Sequence, residues 1–241
     1  VSALTQDIYL DKKRSHTWGV IGTFLSIISI FFIVPVLEKN FYSHLFLQLS
    51  FTGMILSTIY AVDRKRLGSS LMIVPVFLFL FACFDGLSFH YRSLTYMLIA
   101  YGCFSIFTLL VIMILMRRIL NASLVNAELV FAALMVYLLS GILWTNFYFI
   151  ENMASPGSFQ GVGILNFDNA TFLSVYEQQF NFLYYSFATL ATLGMGDITP
   201  LSHLSKSLTA MEAMFGQLFV AIIMAKLVSV WWYVPANHTG K

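Results

Sequence analysis

Charge is what this sequence has least of. Only 10% of its 241 residues are Asp, Glu, Lys or Arg, where a soluble domain carries about 25%. That is too little charge to cover a water-facing surface, so a soluble globular protein is excluded. The same shortage leaves no basic stripe, which excludes nucleic acid as a partner. Cysteine is almost missing. Cys83 and Cys103 both lie in apolar runs, where they are expected as buried small hydrophobes rather than as a disulfide framework. The five histidines, His16, His44, His90, His203 and His238, are scattered singly, and their spacing suggests no metal site. No H-x-x-x-H, paired carboxylate or Ser/His/Asp set stands at a workable spacing, which argues against an enzyme. The two halves show no repeat, and only one short apolar segment interrupts the long ones. A secondary transporter tends to show broken helices at matching places in two halves, so that alternative is disfavoured.

Apolar residues fill the space that charge leaves. The chain is 59% hydrophobic and 17% aromatic, with a mean hydropathy of +0.82. It is read as an all-α integral membrane protein. A spanning helix needs about 20 mostly apolar residues, and six stretches qualify: Trp18–Leu37, His44–Val62, Ser70–His90, Leu94–Met116, Glu128–Ile150 and Leu204–Tyr233. A seventh apolar segment, Phe180–Ala191, is too short to cross. It is expected to be re-entrant, which requires cover by protein or a water-filled cavity.

The placement of Lys and Arg orients the chain. With six spans, Lys12, Lys13, Arg14, Arg64, Lys65, Arg66, Arg117, Arg118 and Lys241 all fall on one side. Lys39, Arg92 and Lys206 fall on the other. Both termini are therefore expected in the cytoplasm, with the protein in the plasma or inner membrane and in contact with lipid. The chain opens on Val1 rather than Met, so a preceding stretch is expected. No signal-peptide pattern stands ahead of the first apolar run. The expected organisation is an N-terminal segment 1–17, a four-span unit 18–116, a linker 117–127, a pore-forming unit 128–233 and a tail 234–241. Residues 151–179 form the one long polar loop, on the outer side. Its Asn169-Ala170-Thr171 matches a glycosylation acceptor, read as a chance match.

The most informative stretch is Thr189–Gly196, T-L-A-T-L-G-M-G, followed by Asp197 and Pro200. Two glycines alternating with large residues suit a backbone that turns its carbonyls to one side. Thr192 adds a hydroxyl to that row. Carbonyl oxygens held at a pore axis replace the water shell of a dehydrated cation.

These residues resemble the pore of potassium channels. The family's filter motif, T-x-G-[YF]-G-D, is occupied here by Thr192, Leu193, Gly194, Met195, Gly196 and Asp197. Tyr184-Tyr185-Ser186 stands where relatives carry a paired aromatic and a small residue. Thr189 matches the pore-helix threonine, and Gly216, 22 residues after Gly194, falls where the inner helix has its hinge glycine. The resemblance covers Glu128–Tyr233. It implies a re-entrant pore helix and a selectivity filter between the fifth and sixth spans. It also implies K+ ions held at Thr192, Leu193, Gly194 and Met195, no organic cofactor, and a filter completed by three identical subunits. A regulatory domain or ligand outside this chain remains open.

The departure is Met195. It packs as an aromatic does but gives no comparable donor and is flexible. Either K+ preference weakens or methionine fills the same space. Asp197 is read as a cation attractor or as a partner behind the filter, for instance of Tyr184. Glu212 is an intramembrane carboxylate, a functional candidate by default. It either braces the filter through pore-helix hydroxyls or has no role. Gly216 is either a hinge or a close-packing site. Lys226 either snorkels to the cytoplasmic interface or lines the inner mouth. Leu94–Met116 carries no Lys or Arg, although a voltage sensor needs a run of them. Little voltage dependence from this span is expected.

Overall fold

The computed structural model describes residues 93–122, 127–164 and 172–231, together with Gly22, Leu25, Ser26, Ser29, Ser50, Gly53 and Ser57. The expected spans Trp18–Leu37, His44–Val62 and Ser70–His90 lie outside the described residues apart from those isolated positions. The isolated positions nevertheless pair in a fixed register. Gly22 faces Ser57 and Gly53 faces Ser26, and Ser29 Oγ lies 3.0 Å from Ser50 Oγ. Partners move in opposite directions along the chain, so these residues face one another as antiparallel neighbours do, through small side chains that permit close approach.

Among the described residues from 93 onward there are four helices and one small sheet. They are α1 (Leu94–Leu120), α2 (Ala127–Ala154), β1 (Phe159–Gln160), α3 (Phe172–Leu190), β2 (Thr199–Pro200) and α4 (His203–Trp231). Among the described residues, three stretches, built on α1, α2 and α4, are long and apolar enough to cross a membrane: Leu94–Asn121, Leu129–Ala154 and His203–Lys226. α2 is the hub, packed against α1, α3 and α4, and α3 also packs on α4. Strands β1 and β2 pair antiparallel, Phe159 opposite Pro200 and Gln160 opposite Thr199.

Aromatic rings fill the centre. Tyr148 and Phe149 of α2 and Phe182 of α3 are fully buried. Phe159 of β1 contacts Tyr148, Phe182 and Tyr185 edge to face, with centroids 5.0–5.6 Å apart, the arrangement ring quadrupoles favour.

The structure corrects three sequence boundaries. The pore helix expected at Phe180–Ala191 begins eight residues earlier, at Phe172, and ends at Leu190. Glu177-Gln178-Gln179 broke the apolar run, yet both glutamines are buried. Gln178 Nε2 donates to Gly163 O and Gln179 Nε2 to Tyr101 Oη, so hydrogen bonds offset the burial of the two amide nitrogens, while both Oε1 atoms stay buried without a partner. The outer loop expected at 151–179 is correspondingly shorter, with α2 running to Ala154. Helix α1 continues through Arg117 to Leu120, into what was expected as linker, because nothing before Asn121 interrupts the helical ladder.

Candidate functional site

The stretch between α3 and β2 begins with a helix cap. Thr192 N–H donates to Thr189 O at 2.9 Å and Leu193 N–H to Ala188 O at 2.8 Å. This pair of bonds is the Schellman pattern, which places one residue in the left-handed region, ordinarily glycine. Here that residue is Thr192, with φ 58°. A β-branched residue in this region is strained by about 1–2 kcal/mol. Thr192 is the one non-glycine residue with positive φ among the described residues.

The pattern continues at every second position, with Gly194 at φ 58° and Gly196 at φ 81°. Alternation of left-handed residues with ordinary ones is the backbone habit that turns successive carbonyls the same way. The glycines reach it without strain. Ala191 through Asp197 are all exposed on this chain, with Leu193 and Met195 more than 60% exposed. The stretch therefore lies open on one side.

The other side is held by α2 and α4. Tyr137 Oη of α2 donates to Leu190 O at 3.2 Å. A β-carbon added at Gly216 of α4 would collide with that same Leu190 carbonyl oxygen. Of the two sequence readings of Gly216, the geometry supports close packing: α4 touches the end of α3 where it has no side chain. Gly141 of α2 is similar, with the Phe187 ring in the space of its missing β-carbon.

Glu212 is fully buried between α2 and α3. Ser186 Oγ lies 2.5 Å from Glu212 Oε1 and 2.8 Å from Gly141 O. Tyr148 Oη donates to Glu212 Oε2. One turn away, Thr209 Oγ1 donates to Ser205 O at 2.8 Å, so Tyr185 Oη is the donor in its 2.8 Å bond to Thr209 Oγ1. These contacts join α2, α3 and α4 through buried polar groups, and such buried partners are costly to remove.

The remaining expected residues fall as follows. Tyr184 is more exposed than Tyr185. Asp197 Oδ1 accepts the Ile198 N–H at 3.0 Å. Thr189 is buried in the last turn of α3. Lys226 lies near the end of α4, where Nζ donates to Leu120 O of α1 at 3.5 Å. It is thus placed at the C-terminal, negative end of a helix, a favourable position for a cation.

Sequence reasoning missed four participants. Tyr137 and Tyr148 lie in the largely apolar α2, where no periodicity marked one face. Gln217 Nε2 donates to Thr192 Oγ1 at 3.3 Å; its place directly after Gly216 was the available signal. Gly161, φ 87°, has the Asp197 carbonyl where its β-carbon would be.

Comparison with known proteins adds one finding. Residues 162–233 match the model of the ion channel family. No curated protein and no solved structure matches the chain. The match takes in α3, the Thr192–Asp197 stretch and all of α4, and it supports an ion channel domain at this end of the chain.

Proposed function

We propose that this chain is one subunit of a homotetrameric, potassium-selective channel, and that Thr192–Gly196 is its selectivity filter. The carrying observation is the alternation of left-handed backbone at Thr192, Gly194 and Gly196. With it, the carbonyls of Thr192, Leu193, Gly194 and Met195 line an axis and substitute for the hydration shell of K+. The Thr192 hydroxyl closes the inner end, where Gln217 steadies it. No organic cofactor is needed for passive flow.

One chain supplies one wall, and four complete a ring. The outward stripe Leu204, Met211, Met214, Leu218 and Ile222 on α4 is exposed and spaced for one helix face, which suits burial against neighbouring copies. The filter faces the outside and both termini the cytoplasm, as the Lys/Arg count indicates. Asp197 adds negative charge at the outer mouth. α1 has no Lys or Arg before Arg117, so open probability is expected to stay nearly flat across voltage. A steep gating-charge movement in patch recordings would contradict this.

Met195 favours a second reading, a weakly selective cation channel of the same fold. Its side chain brings no donor to hold the filter. Reversal potentials under opposed K+ and Na+ gradients, recorded from purified protein in planar bilayers, separate the two. Reversal close to the K+ equilibrium potential is expected. Reversal near zero overturns K+ selectivity, and coupled, saturating uptake without single-channel steps overturns the channel itself.

A further inference from the structure

The loop after α2 does more than connect two helices. Ser158 O accepts the Leu201 N–H at 2.8 Å and the Ser202 N–H at 3.4 Å, and Ser205 Oγ lies 3.0 Å away. Phe159 and Gln160 pair with Pro200 and Thr199. Gly161 then lies against the Asp197 carbonyl so closely that a β-carbon would collide with it. Four consecutive residues, Ser158–Gly161, thus run along Asp197–Ser202, the segment that leaves the filter.

This contact has its own anchor. Ser202 Oγ donates to Glu151 Oε1 at 2.8 Å and accepts the Ser205 N–H at 2.9 Å, capping α4. Glu151 is buried in the last turn of α2. The inner end of the filter is held by different groups, at Leu190, Thr192 and Ser186. The two ends therefore have separate supports. Met195, between them, is exposed and offers no donor, so the outer end depends on what grips Asp197–Ser202.

We propose that Ser158–Gly161 is a strap that keeps the outer end of the filter in its conducting shape, with Glu151 as its positioning residue. The proposal rests on the K+-channel reading above. K+ in the filter favours the shape that holds it, by mass action. Strap and ions then act on one equilibrium, and external K+ compensates for a weakened strap. A general folding defect has no such remedy.

The test uses the whole chain and follows the decline of K+ current during sustained conduction, at low and at high external K+. Gly161→Ala adds a carbon against Asp197 O and strains a left-handed residue, so at low K+ the current is expected to decline about tenfold faster. At high K+ the decline returns towards the wild-type rate. Glu151→Leu is expected to act in the same direction. Glu151→Gln keeps an acceptor for Ser202 and stays close to wild type, which keeps the test decisive if Gly161→Ala fails to assemble. A wild-type decline in both Gly161→Ala and Glu151→Leu overturns the strap, as does a faster decline indifferent to K+. Wild-type protein that passes no K+ current overturns the channel reading, and the strap with it.

Discussion

Gly216→Ala is expected to abolish K+ current and to lower the thermal stability of the assembled protein. The added carbon meets the Leu190 carbonyl oxygen, which is backbone at the end of α3 and already bonded to Tyr137. Relief requires α3 or α4 to move, and overpacking of this kind costs about 3 kcal/mol. The displaced end of α3 is the one that sets Thr192 and Leu193 through the Thr189 and Ala188 carbonyls, so the inner end of the proposed filter moves too. A hinge role for Gly216 makes a different forecast: alanine shifts only opening and closing, and proline, which bends a helix, favours the open form. Thermal unfolding and size-exclusion chromatography of both variants, beside current recordings, distinguish the roles. A Gly216→Ala protein of wild-type stability with altered opening would refute close packing as its main role.

The second large effect is expected at Glu212. Glu212→Ala removes the partner of the Tyr148 hydroxyl and leaves a void between α2, α3 and α4, a loss of about 3 kcal/mol. Loss of current and a lowered unfolding temperature are expected together. Glu212→Gln is expected to retain both. The single hydrogen of Ser186 Oγ faces two acceptors, Glu212 Oε1 and Gly141 O. A glutamine N–H directed at Ser186 Oγ frees that hydrogen for Gly141 O, while the amide carbonyl still accepts from Tyr148. Equal damage from Gln and Ala would mean that a negative charge, rather than the hydrogen-bond geometry, is needed at 212.

Much of this site was legible in the sequence, for a physical reason. The geometry of the proposed filter is local: Thr192, Gly194 and Gly196 are spaced by the backbone alternation itself, so the motif carries its own geometry. Glu212 was legible because a carboxylate in an apolar span is conspicuous. Its partner Tyr148 was not, because the apolar residues of α2 are spread over all its sides and give no period to show which side chain turns inward. Helix α3 began earlier than its hydropathy suggested because Gln178 and Gln179 are buried by bonds to a loop carbonyl and to Tyr101. Those partners lie 15 and 78 residues away. Gly161 was invisible for the same reason. Its meaning lies in a neighbour brought by pairing of β1 with β2, and a loop glycine has many ordinary uses.

Met195 has one further consequence, which is chemical rather than mechanical. Of the side chains in Thr192–Gly196 it alone contains sulfur, and it is exposed on this chain. Peroxide converts a methionine thioether to a sulfoxide, turning a flexible apolar group into a polar, chiral one that only a reductase restores. A phenyl ring at this position would not take that path. The residue that sets the proposed filter apart from the potassium-channel motif it resembles also gives it a redox vulnerability, written into a single atom.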